Sequence, residues 1–224
     1  MPLTVRVATF NVRHCEGLDG VVDVDRVARV VNDTDAELVA LQELDRGLPR
    51  SGGVDQAAAL AEATGRHVWF GATLHRQRGD YGIGLATVEP VDVILEPLPR
   101  AGEEEPRGVL RAGWRGVEVV ATHLTRDALA RPLQLDALAR HARDAGPRAL
   151  VMGDLNVEVA DLGPLARAGL TRCEGRLPTL PARRPRRQID HILAGPAIEI
   201  TRCWTIATDA SDHRPLVADV TVED

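Results

Sequence analysis

Apolar residues recur along the chain with two different spacings, which predict strands and helices. Residues 3–12 read LTVRVATFNV and alternate between two faces, as a strand does. Residues 23–33 place Val24, Val27 and Val31 three or four positions apart behind an acidic start, as in an amphipathic helix. The same criteria predict further strands at 36–43, 66–72, 81–88, 91–98, 107–114, 117–124, 148–153, 188–193, 198–206 and 214–222. They predict further helices at 55–65, 133–146 and near 160–167.

Many strands interleaved with few helices indicate an α/β fold. Such a pattern is typical of two mixed β-sheets that pack face to face with the helices outside. The loops at 99–108 and 177–188 are rich in proline and charge, but they are too short to separate domains. We therefore expect one domain over residues 1–224.

The composition is that of a globular protein and argues against two kinds of nucleic-acid binder. Hydrophobic residues make up 44% and charged residues 27% of the 224 residues, which suits a sizeable core. Aromatic residues make up only 3%, so we expect an aliphatic core and no platform that stacks single-stranded bases. The net charge of −6 argues against the extended basic face with which proteins grip long nucleic acid.

Cysteine usage and the first residues predict a cytoplasmic protein. Cys15, Cys173 and Cys203 are odd in number, scattered and without metal-ligand spacing, so we expect reduced thiols instead of a disulfide framework. The first ten residues begin a strand pattern and show no signal-peptide pattern. No apolar run approaches the ~18 residues of a membrane span. Nothing in the sequence indicates the oligomeric state.

Acidic, amide and imidazole side chains recur where the apolar strands stop. In VMGDLN (151–156), Asp154 and Asn156 follow a buried run, and residues two apart in a strand point to the same face. Each such residue also has a simpler interpretation, as a turn, a solvated strand end or a satisfied core histidine. Strand ends that converge on one sheet edge would instead bring the whole set into one cleft. The set is Asn11, Glu43, His123, Asp154, Asn156, Asp190, Asp212 and His213.

These residue types suit phosphate chemistry assisted by a metal ion. Carboxylate and amide oxygens bind hard cations such as Mg²⁺ or Mn²⁺. The sequence has no Cys cluster or HExxH motif that would indicate zinc. Two histidines, each with a carboxylate available, suit proton transfer and stabilisation of charge on a phosphoryl oxygen.

Seven short motifs follow one another along the chain: FNVRH, LQELD, DYGIGLAT, THL, GDLN, IDHIL and SDHRPL. In this order they resemble the endonuclease/exonuclease/phosphatase superfamily, which includes pancreatic-type deoxyribonucleases, apurinic endonucleases, inositol-polyphosphate 5-phosphatases and neutral sphingomyelinases. The resemblance runs from about residue 5 to 220. It implies a four-layer α/β sandwich with the active site at one end of the two packed sheets.

The resemblance also implies a role for each residue of the set. Three residues resemble the metal side of the family's site: Glu43 the principal ligand, Asn11 the amide near the metal, and Asp212 the late metal-side carboxylate. The five catalytic candidates are His123, Asp154, Asn156, Asp190 and His213. His123 resembles the donor to the phosphate oxygens, and Asp190 the partner of His213. Asp154 and Asn156 resemble the pair that orients the nucleophile and contacts the phosphate or a second metal.

The sequence departs from the family in the stretch YGIGLATVEP. Ile83 stands where many relatives have an amide, and Thr87 and Val88 stand where they have Ser-Arg. That region normally lines the site, so its contact with the substrate is in question here. Tyr81 remains and is either a site residue or a core aromatic.

Arginines are the remaining candidates for contact with a substrate phosphate. ARRPRR (182–187) places Arg184, Arg186 and Arg187 just before Asp190, either as a solvated loop or as a phosphate clamp. Arg107, in EEEPR, either reaches the cleft or belongs to an acidic loop.

Three functions fit these observations. The first is a Mg²⁺-dependent phosphodiesterase acting on nucleic acid or a phospholipid head group. The second is a phosphomonoesterase for a small metabolite. The third is a binding module on an inactive scaffold, which is disfavoured because the acidic and histidine positions are all present. The chain is short and acidic overall, and its one concentrated basic element is the 183–187 loop, so we expect a small or terminal phosphate ester.

Overall fold

Twelve strands and four α-helices make up the computed structural model, which describes residues 2–223. The strands are β1 (Leu3–Asn11), β2 (Leu38–Arg46), β3 (His67–Arg76), β4 (Gly79–Thr87), β5 (Ile94–Pro97), β6 (Gly108–Trp114), β7 (Val117–His123), β8 (Ala149–Asp154), β9 (Thr171–Arg172), β10 (Asp190–Ala194), β11 (Ile198–Thr205) and β12 (Leu216–Val222). The helices are α1 (Val24–Asp33), α2 (Gln56–Thr64), α3 (Ala130–Ala145) and α4 (Gly163–Arg167). The predicted elements are confirmed to within a few residues, and β9 is the element that the sequence pattern did not predict.

The strands form two six-stranded mixed sheets with matching connectivity. One sheet has the order β11-β12-β1-β2-β4-β3 and the other β5-β6-β7-β8-β10-β9, which is the same order shifted by six strands. In each sheet the two central strands, β1 with β2 and β7 with β8, are parallel. The remaining strand pairs are antiparallel, both where a hairpin joins the strands, as for β3 and β4, and where a longer connection does, as for β1 and β12. The predicted α/β class with two mixed sheets is therefore confirmed.

Three apolar layers hold the two sheets and the helices together. A central core of aliphatic residues lies between the sheets and includes Val7, Leu38, Leu110 and Met152. A second cluster packs the first sheet against α1 and α2, and a third packs the second sheet against α3 and α4. The architecture is thus a four-layer α/β sandwich. Most of these residues are aliphatic, in agreement with the low aromatic content.

A disulfide links the outer edges of the two sheets and corrects the prediction of three reduced thiols. Cys173 follows β9 at the edge of one sheet, and Cys203 lies in β11 at the edge of the other. Their Cα atoms are 6.2 Å apart although the residues are 30 positions apart in sequence. Spacing alone could not reveal this pair because the stacking of the sheets creates the contact. Cys15 is free and buried, and the expected cytoplasmic location loses the support that it drew from reduced cysteines.

Within residues 2–223, none of the helices is long and apolar enough to cross a membrane.

Candidate active site

The candidate site forms where the central parallel strands of both sheets end. β1 ends at Asn11 and β2 carries Glu43, while β7 ends at His123 and β8 at Asp154. His123 and Asp154 are direct neighbours in the parallel register of β7 and β8. Parallel strands bring their carboxyl ends to the same edge of a sheet. Because the two sheets are stacked with these edges together, the four side chains meet at one end of the sandwich.

Asp154 lies at the centre of this group and is 2% exposed. Its Oδ2 accepts a hydrogen bond from Asn11 Nδ2 at 3.1 Å. The same oxygen lies 3.5 Å from His123 Nε2 and 3.8 Å from His213 Nε2. Its Oδ1 accepts from the backbone N–H of Asn156 at 2.9 Å. One carboxylate oxygen therefore faces an amide and two imidazoles at once.

A glycine before Asp154 lets β8 approach β7 closely. A Cβ at Gly153 would lie 1.9 Å from the carbonyl oxygen of Thr122 on β7, and Gly153 has φ +151°. Any larger residue would push the two strands apart. The glycine in VMGDLN thus keeps Asp154 in register with His123.

Glu43 reaches the site through a β-bulge. Val39 and Leu41 face the helix layer, and strict alternation along β2 would point Glu43 the same way. Instead, the pairing of β2 with β4 shifts register between Gln42 and Leu44, and Glu43 takes φ +62°. Positive φ is uncommon for a non-glycine residue and is maintained where surrounding structure demands it. The bulge turns Glu43 towards the site, where its Oε1 accepts from Asn11 Nδ2 at 2.8 Å.

His213 and Asp190 form a buried pair next to Asp154. His213 Nδ1 lies 2.8 Å from Asp190 Oδ2, and the hydroxyl of Thr179 donates to the same carboxylate oxygen. Burial lowers the pKa of His213, but the charge and hydrogen bond of Asp190, together with Asp154, outweigh it and raise the pKa to about 10. Without a bound cation, His213 is therefore an imidazolium at neutral pH.

His123 has a different partner. Its Nδ1 lies 3.0 Å from Nη1 of Arg107, and Arg107 forms an ion pair with Glu105 at 3.0 Å. Burial, followed by the positive charges of Arg107 and His213, lowers the pKa of His123 well below its usual value. The sequence led us to expect a carboxylate for each histidine. The structure supplies one to His213, whereas the closest contact of His123 is a cation, with Asp154 on the other side of the ring.

The oxygens at the site fit a hard divalent cation. Glu43, Asp154 and Asp212 line one cavity, together with Glu105. Burial, and then repulsion by the charge of Asp190, raise the pKa of Asp154 to about 7. A divalent cation would relieve that repulsion. Asp154, Asp190 and His213 also place one ligand atom each within 4.8 Å of one another, but Asp190 and His213 are already engaged with each other.

The cavity has a volume of about 500 Å³ and is lined by six of the eight residues of the predicted set. Asn11 and Asp190 are fully buried behind it and hold the lining residues. A hydrogen bond of 2.7 Å from the Ser211 hydroxyl to the Asn11 carbonyl ties the segment that carries Asp212 to the end of β1. The six lining residues are Glu43, His123, Asp154, Asn156, Asp212 and His213.

Comparison with known proteins supports the family resemblance that the sequence motifs indicated. The model of the Endonuclease/Exonuclease/phosphatase family matches residues 8–213. The chain belongs to this family. A structure of an endonuclease/exonuclease/phosphatase from Beutenbergia cavernae is 26% identical, with a TM-score of 0.82 over 98% of this chain and 72% of that one. A family protein from Bacteroides thetaiotaomicron is 16% identical, with a TM-score of 0.77 over 100% of both chains. D. rerio TDP2 in complex with a single-strand DNA product is 19% identical, with a TM-score of 0.69 over 97% of this chain and 98% of that one. A search of curated proteins gives no match.

The stretch YGIGLATVEP, in which the sequence differs from many relatives, contributes one residue to the core and one to the cavity wall. Ile83 is buried in the central core between the sheets. Tyr81 is 7% exposed yet lines the cavity, with the guanidinium of Arg50 5.5 Å from its ring centre. Tyr81 therefore belongs to the wall of the site and to the core at once.

The arginines that reach the cavity differ from those predicted in the 182–187 loop. Arg184, Arg186 and Arg187 do not line it, within the part of the chain that the structure describes. Arg187 is held at the surface by Glu158 at 3.1 Å, and Arg184 lines a separate surface depression. The residues that flank this loop, Leu180 and Ile189, line the cavity instead. The structure therefore does not bring the three predicted arginines into the cavity wall, and a clamp by them stays a prediction. The arginines in the lining are Arg50, Arg76, Arg107 and Arg126.

Two contributors to the site, Thr179 and Arg50, carry no signal in the sequence. Thr179 lies 11 positions before the carboxylate to which it donates, and Arg50 sits in a short loop beside its partner Asp45. Both are ordinary loop residues in the sequence. Their proximity to the site arises from the folding of the loops over the strand ends.

Proposed function

We propose that the protein hydrolyses a phosphate ester by in-line attack of water, with the help of a divalent cation such as Mg²⁺ or Mn²⁺. The observation that carries this proposal is the arrangement around Asp154, whose Oδ2 faces Asn11, His123 and His213 within 3.1–3.8 Å. The family consists of metal-dependent phosphoesterases and nucleases. The cavity that both sheets line supports the expectation of one catalytic domain.

Each side chain has a part in this reaction. Glu43 and Asp212, with Asn11 behind them, would hold the cation, which neutralises charge on the phosphoryl group and lowers the pKa of water. Asp154 and Asn156 would orient the attacking water and a phosphate oxygen. His213, kept in place by Asp190, would stabilise charge or transfer a proton as the leaving oxygen departs, and such a step contributes about 10²–10⁴-fold in rate.

The shape and charge of the cavity favour a small or terminal phosphate ester. A volume of about 500 Å³ lies within the range of roughly 300–1,000 Å³ for small-molecule sites. The surface arginines of the 182–187 loop do not line the cavity. Tyr81 and Leu180 add apolar surface to the wall. A nuclease remains the second candidate, because a structural neighbour, D. rerio TDP2, was solved with a single-strand DNA product.

A substrate screen tests both candidates. Turnover of p-nitrophenyl phosphate, its bis-ester, a metabolite phosphate panel, RNA, single-strand DNA and plasmid DNA would be measured with Mg²⁺, Mn²⁺ or a chelator. Activity should require the cation and disappear in Asp154→Ala, whereas His67→Ala, at the far end of β3, should keep it. If the folded protein binds Mg²⁺ but turns over none of these esters, the enzyme proposal is wrong and a binding module is left.

A further inference from the structure

The contact between Arg107 and His123 restricts where the imidazole can carry its proton. Nη1 of Arg107 lies 3.0 Å from Nδ1 of His123. A guanidinium stays protonated in proteins and only donates hydrogen bonds. Nδ1 must therefore present its lone pair, and the proton of a neutral ring must sit on Nε2.

A second contact favours the opposite tautomer. Nε2 of His123 lies 3.2 Å from Nδ2 of Asn156. That amide nitrogen also donates to the carbonyl oxygen of Leu124 at 2.9 Å, which fixes the orientation of the Asn156 amide. A neutral imidazole has one acceptor nitrogen. It cannot accept from Arg107 and from Asn156 at once, so one of the two contacts prevails.

Three observations indicate that the hydrogen bond from Arg107 prevails over the one from Asn156. Its contact is the shorter of the two, and its side chain is only 10% exposed. A hydrogen bond from a charged donor is roughly twice as strong as a neutral one, and Glu105 holds the guanidinium in place at 3.0 Å. On the other side of the ring, Asp154 Oδ2 lies 3.5 Å from Nε2 and attracts a proton there.

We propose that Arg107 is a positioning residue that holds His123 in the Nε2–H tautomer. In this form His123 donates a hydrogen bond into the cavity, where a phosphoryl oxygen would lie, and has no lone pair there with which to act as a base. Proton acceptance is then left to Asp154. This assignment of roles rests on the proposed phosphoesterase function, but the tautomer itself does not.

NMR of the imidazole nitrogens tests the tautomer directly. The ¹⁵N chemical shifts and ring-proton couplings of His123 would be recorded in the ¹⁵N-labelled protein, with and without Mg²⁺, and assigned by comparison with His123→Gln. The wild type should show a bare Nδ1 and a protonated Nε2. Arg107→Met removes the donor at similar length, so Asn156 should prevail and the proton should move to Nδ1. Arg107→Lys keeps a donor and should retain the wild-type pattern.

Kinetics separate positioning from a merely structural role. Arg107→Met should lower kcat by about 10- to 100-fold with KM changed by no more than about threefold, because the lost hydrogen bond acts mainly in the transition state. Arg107→Lys should recover most of the rate. Arg111→Met is the matched control on β6, the strand that follows Arg107. Arg111 pairs with Glu96 at the surface, and its loss should change neither quantity.

The proposal has clear failure modes. It is overturned if wild-type His123 carries its proton on Nδ1 or on both nitrogens, or if folded Arg107→Met keeps the Nε2–H form and the full rate. The wild-type spectrum stands alone as a test even if Arg107→Met does not fold. If no ester is turned over but the wild-type spectrum shows Nε2–H, the proposed function fails while the positional effect of Arg107 stands.

Discussion

The disulfide between Cys173 and Cys203 allows a quantitative prediction about stability. It joins the edge strands of the two sheets and closes a loop of 30 residues. We expect that replacing both cysteines by serine lowers the free energy of unfolding, chiefly because the unfolded chain gains freedom. For a loop of this length the chain-entropy relation gives about 3.6 kcal/mol at 25 °C. With a typical unfolding entropy for a chain of this size, the melting temperature should fall by about 8 °C.

The same change should also affect the candidate site. Cys173 anchors the beginning of the segment 174–189, whose Thr179 donates to Asp190. Backbone hydrogen bonds from Ala182 to the Asp212 carbonyl (2.6 Å) and from Arg214 to the Thr179 carbonyl (2.9 Å) hold the same segment at its far end. Because these bonds remain, we expect a modest loss of kcat, of roughly two- to fivefold, alongside the larger loss of stability.

Urea unfolding of the oxidised protein, with and without reductant, measures the stability difference. The double serine variant is the control, since reductant should not change its midpoint. Thiol titration in denaturant should find one reactive thiol, Cys15, before reduction and three after it. Three thiols after mild oxidation, or identical midpoints with and without reductant, would refute the reasoning and restore the expectation of a fully reduced chain.

Changes at the site should separate its functions. Glu43→Gln should weaken Mg²⁺ binding by roughly tenfold or more, or about 1.4 kcal/mol, because the amide loses the charge attraction; equal affinities by calorimetry would remove Glu43 from the metal shell. Asp190→Asn should lower kcat by about 10²–10⁴-fold with KM little changed, and a pure KM effect would contradict the pairing with His213. Asp154, with its pKa raised to about 7, binds a proton below that pH in the metal-free protein. Mg²⁺ affinity should therefore rise between pH 6 and 8. Calorimetry in buffers of different ionisation enthalpy would measure the protons released on binding. Mg²⁺ binding that does not depend on pH would exclude Asp154 from the metal site.

The layer order and the strand ends could be predicted from the sequence because each follows from local patterns. Alternation of apolar residues marks a strand and its end, and polar residues at the ends of parallel strands must share a sheet edge. The pattern placed Asn11 and Asp154 at strand ends, and the resemblance to the family then implied their roles. The position of Glu43 was harder to predict, because alternation along β2 would point its side chain towards the helix layer. The β-bulge between Gln42 and Leu44 turns it towards the cavity instead.

Other features could not be predicted because they depend on how distant segments meet. Cys173 and Cys203 come together when the two sheets stack, and no spacing rule anticipates that contact. Arg184, Arg186 and Arg187 lie outside the cavity lining, because proximity to Asp190 in the sequence does not determine which side of the loop faces the cavity. Arg107 reached the site, but its contact with His123 depends on the register of β6 against β7.

The repeated strand order places one pair of candidate site residues at the end of the central strands of each sheet. Each sheet brings two polar residues to the end of its central parallel pair, Asn11 with Glu43 in one and His123 with Asp154 in the other. The first pair has oxygens suited to a cation, whereas the second pair has an imidazole and a carboxylate with a raised pKa. Asn11 Nδ2 joins the two halves, since it donates to Glu43 at 2.8 Å and to Asp154 at 3.1 Å. If the proposed function is correct, we expect cation binding at Glu43 and proton transfer at Asp154 to be coupled through the Asn11 amide. Loss of this amide in Asn11→Ala should disturb both, while Glu43→Gln should leave the tautomer of His123 unchanged.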